Sequence, residues 1–171
     1  MLGHANRGRA FEELIKLANR QYFERGLAVV HKVPTAWIPL RNRSGKIWGA
    51  KVEEKAAVDF LGMYRGCGIA FDAKHSETGR ISWKRVEEHQ ARFLDRWYEC
   101  GGIAFILAEV EGRWWAVPWL FWREQMRKGK GSFGAEVARG YWEVRQTERA
   151  AVDYLATVDL WLPPGVRAWQ R

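Results

Sequence analysis

Two strand-like runs around a short glycine-containing turn constrain the fold of this chain more than any other feature of its sequence. The runs cover residues 57–64 and 69–74, and a turn of sequence RGCG lies between them at 65–68. Runs of β-forming residues that are bounded by a tight turn are typical of a β-hairpin. We therefore predict two adjacent antiparallel strands in the middle of the chain.

Helices and strands are predicted on both sides of this hairpin. Helices are expected over 7–25, 83–99, 150–162 and after Pro118, strands over 27–32, 103–109 and 113–117, and a flexible basic loop over 128–132. Helices that flank strands predict an α/β fold and argue against a bundle or a barrel. With 171 residues, the chain is expected to form one domain over 1–171 that ends in a short tail at 163–171.

The segment 37–54 lacks a regular period and is rich in turn-forming and basic residues. Its cations are Arg41, Arg43, Lys46 and Lys51, and Trp48 lies among them. This composition favours a protruding hairpin or loop. Taken alone, it is more often a solvated basic loop with its Trp packed locally. The same residue types are also suited to contact phosphates and to stack on an unpaired base.

The net charge of the chain favours a polyanionic partner but does not identify one. The formal charge is +8 at pH 7, so the surface attracts nucleic acid in a manner that salt screens. A basic surface that serves only solubility is the other explanation. Charge alone leaves both open, and the motifs must decide between them.

Several other classes of protein are excluded by the sequence. It contains no run of about 18 apolar residues that would span a membrane. Its first residues do not resemble a secretory signal, so a cytoplasmic protein is expected. Cys67 and Cys100 have no paired Cys or His spacing, which argues against a disulfide framework or a zinc site. We expect both thiols to be buried.

A cluster of tryptophans follows the predicted strand at 113–117. Its members are Trp114, Trp115, Trp119 and Trp122, of eleven Trp in the chain. Aromatic clusters of this kind invite the hypothesis of base stacking. Alternation along a strand and the packing of a short helix instead favour a place in the core or in a dimer interface.

The predicted central hairpin also carries residues suited to phosphodiester chemistry. Side chains alternate along a strand, so Asp72 and Lys74 share one face, and Asp59 can lie opposite Asp72 on the partner strand. Two facing carboxylates repel each other unless a cation lies between them, and hard oxygen ligands suit Mg²⁺ or Mn²⁺. A metal site beside an ammonium group is what phosphodiester hydrolysis requires. Taken alone, an Asp-x-Lys on a strand is more often a surface ion pair.

The order of these and other motifs resembles the RecU Holliday junction resolvases of bacteria, members of the PD-(D/E)xK nuclease superfamily. The motifs are Asn6-Arg7-Gly8, Phe11-Glu12-Glu13, Ala28–Lys32, Pro34-Thr35, Asp59 with Gly62 and Tyr64, Phe71-Asp72-Ala73-Lys74, His89-Gln90 and Val152-Asp153-Tyr154. The resemblance covers most of the chain. It implies a restriction-endonuclease-like fold, with a mixed central β-sheet flanked by helices and with 37–54 as a protruding stalk. In one departure, Ala56, Ala57 and Val58 replace the threonines that precede the first aspartate in the family.

The resemblance further implies a catalytic site. Asp59 and Asp72 would be metal ligands and Lys74 the catalytic lysine, with Mg²⁺ as the cofactor and Mn²⁺ as its substitute. Glu12 would add a carboxylate from the first helix; the adjacent Glu13 is the alternative, because one residue is about 100° around a helix. Without the resemblance, Glu12 is an exposed helix charge that is spaced to pair with Lys16.

Contacts with DNA are implied along the chain. The residues expected to make them are Arg7, Lys32, Arg41, Arg43, Lys46, Trp48 and Gln90. Gln90 lies on the second predicted helix, from which it can also help to position the site, although an exposed helix Gln is the more frequent case.

The function that the resemblance implies is resolution of four-way DNA junctions during recombination and repair. The protein would be a homodimer that makes paired symmetric nicks, since a two-fold protein matches the two related strands of a junction. Whether it also contacts a recombinase is left undetermined. Two alternatives remain: another nuclease of the superfamily that acts on branched or duplex DNA, and a junction-binding module without catalytic activity.

Overall fold

The computed structural model describes residues 4–138 and 140–162, without the side chains of residues 4–7 and Glu54. The predicted tail at 163–171 lies outside these residues. The helices and strands, in chain order, are α1 (His4–Glu24), β1 (Ala28–Lys32), β2 (Ala36–Arg41), β3 (Ile47–Glu54), β4 (Phe60–Tyr64), β5 (Cys67–Ser76), β6 (Ile81–Ser82), α2 (Glu88–Glu99), β7 (Ile103–Val110), β8 (Arg113–Pro118), α3 (Trp119–Lys128), β9 (Ser132–Phe133), α4 (Ala135–Ala138), β10 (Glu143–Val144) and α5 (Tyr154–Val158).

A six-stranded sheet forms the centre of the fold, in the order β1-β4-β5-β7-β8-β10. Neighbouring strands are antiparallel except for β5 and β7, which are parallel. The sheet is therefore mixed, and helices flank it. This arrangement confirms the predicted fold class.

Both faces of the central sheet carry apolar side chains, so helices can pack on each face. On one face, Phe11 of α1 packs in a cluster with Phe71 of β5. On the other face, Leu94 of α2 belongs to a cluster with Ala70 of β5. Successive residues of a strand point to opposite faces, so Asp72 lies on the α2 face together with Ala70.

The hairpin predicted in the middle of the chain is present as β4 and β5. Tyr64 pairs with Cys67, so the turn consists of Arg65 and Gly66 alone. Both have a positive φ, 48° and 76°, which is the backbone of a two-residue turn that fits the right-handed twist of the strands. The turn is thus shorter than the predicted one at 65–68, because the ladder of hydrogen bonds continues to Cys67.

Tertiary packing accounts for most of the clustered tryptophans. Trp115, Trp119 and Trp122 are at most 1% exposed and lie in the core on the α2 face. Trp114 packs against the cluster on the other face. The placement of the three buried rings confirms the core interpretation and excludes base stacking by them.

The helix predicted over 83–99 is wrong at its beginning, since α2 starts only at Glu88. Trp83–Arg85 forms a separate 3-10 turn. The indole of Trp83 is 4% exposed and packs edge-on against Trp122, with ring centroids 4.8 Å apart. The apolar residues that predicted a longer helix therefore serve this tertiary contact.

The last predicted helix, over 150–162, is limited to Tyr154–Val158. Before it, the backbone N–H of Asp153 donates to the carbonyl of Arg145 (3.0 Å). The Asp153 carboxylate then accepts a hydrogen bond from the Ala156 N–H and caps the helix (3.2 Å). An aspartate that satisfies the first N–H groups of a helix marks its start, which places the start later than the apolar pattern does.

Three short strands, β6, β9 and β10, were not predicted. Ser132 of β9 lies within the segment predicted as a flexible loop, yet it pairs with Ser82 of β6. Its neighbour Phe133 is fully buried, and this burial holds the segment in place. β10 extends the central sheet beside β8. Strands of two residues carry no hydrophobic period, so a sequence pattern does not reveal them.

The predictions about the two cysteines and about membrane-spanning segments have different outcomes. Cys100 is exposed and Cys67 is only partly buried, so the expectation of buried thiols is wrong. Cys100 follows the last residue of α2 and Cys67 follows the central turn, where side chains are open to solvent. In the part of the chain that the structure describes, the helices are too short or too polar to cross a membrane.

The segment predicted as a protruding hairpin or loop is a hairpin. Among the described strands, β2 and β3 pair with each other and not with the central sheet. Asn42 closes the loop, since its side-chain oxygen accepts hydrogen bonds from the N–H groups of Ser44 (3.1 Å) and Lys46 (2.9 Å). Trp48 is 69% exposed, so it is not packed locally.

Candidate active site

The structure brings Asp59 and Asp72 together at the end of the β4–β5 ladder. Phe60 pairs with Phe71, and the same register places Asp59, one residue before β4, opposite Asp72. The Asp59 carboxylate accepts a hydrogen bond from the backbone N–H of Ala73 (2.8 Å). This bond ties the acid to the neighbouring strand, so the two carboxylates face each other as the hairpin predicted.

Asp72 is fully buried although it is an acid. One of its oxygens, Oδ1, accepts a hydrogen bond from the side-chain amide of Gln90 (2.7 Å). The other, Oδ2, forms an ion pair with the ammonium group of Lys74. Among the described residues, no group forms a well-aligned hydrogen bond with Oδ2. The pair is therefore internal and differs from the surface ion pair that an Asp-x-Lys more often forms.

The pKa of the Asp72 carboxyl is raised to about 7. Burial is the largest cause, because it removes the water that stabilises the charged form. The nearby charge of Asp59 raises the pKa further, while Lys74 acts in the opposite direction. Two facing acids, of which Asp72 is fully buried and Asp59 partly buried, repel each other, and a bound cation would relieve the repulsion.

The carboxylates of Asp59 and Asp72 fit a divalent metal ion by their chemistry. Both offer hard oxygen ligands, and Oδ2 of Asp72 is a buried acceptor without an aligned donor. Within residues 4–138 and 140–162, side chains of His, Cys, Asp and Glu do not assemble in a group of three or more that could hold a metal ion. Asp59 and Asp72 are therefore candidate ligands, and the described residues place no third His, Cys, Asp or Glu in a group with them.

Lys74 lies on the same face of β5 as Asp72 and is largely enclosed. Its side chain is 12% exposed. The ammonium group donates weakly to the amide oxygen of Gln90, at 3.5 Å. An ammonium group in this position can stabilise negative charge that develops on a phosphate.

The helix carboxylates Glu12 and Glu13 each have a cationic partner. Glu12 forms an ion pair with Lys32 of β1, and Glu13 pairs with Lys16 at 2.7 Å. The helical pairing with Lys16 was expected for Glu12, and the structure assigns it to Glu13. In the described part of the chain, neither acid has a hydrogen bond or ion pair within the Asp59–Asp72 site. The role of Glu12 as a ligand stays a prediction.

Apart from Gln90, which contacts Asp72, the residues expected to contact DNA fall into two regions. Arg41, Arg43, Lys46 and Trp48 are exposed on or beside the β2–β3 hairpin, and Lys32 ends the edge strand β1 beside Glu12. The guanidinium group of Arg41 donates to the carbonyl of Gly45 (2.9 Å). The side chain of Arg7 lies outside the described residues.

The sequence interpretation placed Gln90 well inside its second predicted helix, from which it could help to position the site, and did not single out Trp37. Gln90 contacts Asp72 directly, and the spacing Glu87-x-x-Gln90, which forms a capping box, was the available signal for its place at the start of α2. Trp37 on β2 is 58% exposed. The sequence pattern did not give the register between β2 and β3, so it could not show which residues of β3 lie beside Trp37.

A mixed sheet with helices on both faces and an acid pair on β5 and beside β4 defines a restriction-endonuclease-like α/β protein. A comparison with protein families matches residues 6–160 to RecU, recombination protein U. Because the match covers most of its length, the chain belongs to the RecU family.

Individual relatives carry the name Holliday junction resolvase RecU. One from Streptococcus gordonii is 37% identical over 110 residues, which cover 60% of this chain and 54% of that protein. One from Lactococcus lactis is 36% identical over 114 residues, with 63% and 53% covered. One from Staphylococcus saprophyticus is 28% identical over 173 residues, with 92% and 82% covered. The chain spans little more than half the length of the first two proteins.

Proposed function

We propose that this protein is a Holliday junction resolvase, an endonuclease that makes paired symmetric nicks in four-way DNA junctions. The observation that carries the proposal is the fully buried Asp72, which faces Asp59 and is ion-paired with Lys74. Burying an acid with little positive charge around it lowers the stability of the fold. Acids in such environments are found mainly at functional sites. Membership of the RecU family and the names of the relatives support the same activity.

Asp59 and Asp72 would hold the metal ion, for which we propose Mg²⁺ with Mn²⁺ as a substitute. When bound, such an ion polarises the scissile phosphate and makes a water molecule more acidic. Lys74 would place its ammonium group against the negative charge that develops on the phosphate. The side chains of Asp72 and Lys74 are largely shielded from bulk water. Electrostatic interactions of the metal ion and of the ammonium group with the phosphate would therefore be stronger than in water.

Glu12 is proposed as the third carboxylate, which would require it to leave Lys32. We expect Glu12→Gln to weaken Mg²⁺ binding on the order of tenfold, because fewer charged oxygens would hold the ion. Glu13→Gln is the matched control, since its carboxylate pairs with Lys16 on the exposed surface. Calorimetric titration of the DNA-free protein with Mg²⁺ measures both. The reverse order of effects would identify Glu13, and unchanged binding in both variants would remove the helix carboxylate from the site.

The β2–β3 hairpin is proposed to bind the branch point of the junction. Trp37 pairs with Val52, and Trp48 lies at an irregularity of the ladder, between Ile47 and Gly49. The hairpin therefore carries two exposed indole rings, suited to stack on bases that a junction leaves open. Lys46 and Arg43 lie near the hairpin tip, where cations would contact phosphates.

A homodimer is proposed because a four-way junction presents two symmetry-related strands to cut, and a two-fold protein sets two sites to match. The protein is also proposed to act in the cytoplasm. Contact with a recombinase stays a prediction without a proposed surface.

The test compares a labelled four-way junction with a linear duplex of the same sequence, each with Mg²⁺ and with EDTA. We expect symmetric paired nicks in the junction alone, and none in EDTA. Equal cutting of the duplex would indicate a general nuclease, and binding without cutting would indicate a non-catalytic module. The variant Trp48→Ala serves as a probe of the hairpin: it should weaken junction binding by about 1–3 kcal/mol and leave duplex binding unchanged.

A further inference from the structure

Lys84 and Lys130 lie at the same end of the β6–β9 ladder. The last pair of this antiparallel ladder is Ser82 with Ser132. Lys84 follows Ser82 by two residues, and Lys130 precedes Ser132 by two, so both leave the ladder in the same direction. We call these two residues the lysine surface.

The segments that carry the two lysines are held in place by buried aromatic rings. Trp83 is 4% exposed and Phe133 is fully buried, and their rings pack edge to face with centroids 6.1 Å apart. A Cβ on Gly131 would lie 3.4 Å from the indole nitrogen of Trp83, so the loop before β9 passes close to that ring. Because both backbones are fixed, less entropy is lost when a ligand binds the lysines.

The charges of the lysine surface are not neutralised by the protein. Both residues are exposed, and in the part of the chain that the structure describes neither forms an ion pair with an acid. Glu87, the acid nearest to Lys84 in sequence, pairs instead with Lys55 (2.5 Å). Glu136, which follows β9, pairs with Arg80 (2.6 Å). Like charges on one surface repel each other, and a polyanion would relieve this repulsion.

The lysine surface lies on the same side of the central sheet as the acid pair. Trp83 belongs to the cluster on the α2 face, which is the face that carries Asp72. The guanidinium group of Arg85, next to Lys84, donates to the carbonyl of His75 (2.6 Å). His75 adjoins the proposed catalytic lysine on β5. Cations therefore continue from the candidate active site to the lysine surface along one face of the protein.

We propose that Lys84 and Lys130 bind phosphates of the duplex arm that leads away from the scissile bond. Ammonium groups contact phosphates without reading the base sequence. Gly129 and Gly131, with φ of 73° and 90°, place no side chain beside Lys130 that would obstruct a nucleic acid backbone. The inference rests on the proposed function for the identity of the DNA. It assigns any duplex arm to the lysine surface, whereas the β2–β3 hairpin is proposed to bind only the branch point.

The test is the double variant Lys84→Gln/Lys130→Gln. Fluorescence anisotropy in EDTA, over a series of NaCl concentrations, measures its affinity for a four-way junction and for a linear duplex. Each lost phosphate contact lowers the slope of log K against log[salt] by about 0.9, so the slope should fall by about 2 for both DNAs. Near 0.1 M salt, both affinities should fall by the same factor, about tenfold. Lys84→Arg/Lys130→Arg should keep the wild-type slope, because guanidinium groups also contact phosphates.

Arg25→Gln/Arg96→Gln is the matched control, because it removes the same charge from exposed residues at the opposite end of the sheet. Arg25 lies shortly before β1, and Arg96 adjoins Trp97, whose indole donates to the carbonyl of Gly68 beside the central turn (3.3 Å). Salt screens charges that lie this far from the bound DNA, so both affinities should stay within about twofold of wild type.

An unchanged slope in the lysine variant would overturn the proposal. An equal loss in the control would also overturn it, because net charge alone would then be the cause. A loss for the junction only would assign the lysines to the branch point, again against the proposal. If the double variant does not fold, the single variants replace it, each with an expected fall in slope of about 1. If the wild-type chain cuts no junction, the proposed function fails, whereas the slopes for duplex binding still decide the role of the lysine surface.

Discussion

Asp72→Asn is expected to cut a four-way junction at least about 10³-fold more slowly than the wild-type chain while binding it as tightly or more tightly. The amide has the size of the carboxylate, and its oxygen can still accept the hydrogen bond from Gln90. It lacks the charge that would hold a divalent cation. Removal of one negative charge that faces the phosphate also reduces electrostatic repulsion, so binding should not suffer.

Single-turnover cleavage with Mg²⁺ and gel mobility shift in EDTA measure the two effects separately. Asp95→Asn is the matched control, because Asp95 is a structural acid: it accepts a hydrogen bond from the indole N–H of Trp119 (2.8 Å) and pairs with Arg123 (3.0 Å). The control should keep its cleavage rate. Loss of junction binding by folded Asp72→Asn would mean that Asp72 is structural, and retained cleavage would remove it from the site.

Lys74→Met is expected to lose cleavage by about 10²- to 10³-fold and to destabilise the metal-free protein by about 3 kcal/mol at pH 8. The stability loss arises because the buried Asp72 carboxylate keeps no cationic partner. At pH 5 the loss should be much smaller, since the carboxyl is then protonated and carries no charge.

The sign of this pH dependence follows from the pKa of Asp72. In the folded wild-type chain it is raised to about 7, above the value of about 3.9 for an unfolded chain. The folded state therefore binds the proton more tightly, and stability falls as pH rises from about 4 to about 7. Loss of Lys74 raises the folded pKa further, which extends the fall to higher pH.

Urea unfolding in EDTA at pH 5 and pH 8 measures the stability difference for Lys74→Met and the wild-type chain. Lys16→Met is the control, because its pairing with Glu13 is exposed and should matter little at either pH. Adding Asp72→Asn to Lys74→Met should remove most of the additional pH dependence. Equal destabilisation by Lys74→Met at pH 5 and pH 8 would contradict a charged Asp72 as the cause.

Local rules were sufficient for the central hairpin and its acids. Gly66 favours the positive φ that the turn requires, Arg65 adopts one as well, and alternation along β5 places Asp72 and Lys74 on one face. The register that brings Asp59 opposite Asp72 follows from a turn of two residues, which is shorter than the predicted one. Each step depends on residues fewer than fifteen positions apart, so a pattern in the sequence determines it.

Element boundaries were predictable only where no distant contact competed with the local pattern. Trp83 has helical spacing with its neighbours, yet it lies outside α2, where its indole packs on Trp122. Asp153 sets the start of α5, because its N–H bonds to Arg145 and its carboxylate caps the helix. In both cases a tertiary contact outweighs a local propensity of less than about 1 kcal/mol per residue.

The sequence by itself determined the class of the fold, the acid pair on the hairpin and the lysine beside it, because side-chain alternation and turn geometry act over short distances. Only the tertiary structure decided that Asp72 is fully buried, that Gln90 holds it from α2, and that Glu12 lies against Lys32. These contacts join segments about 20 residues apart. The packing of the helices on the sheet determines which residues meet. Periodicity in the sequence indicates the buried face of an element but not the residues that it contacts.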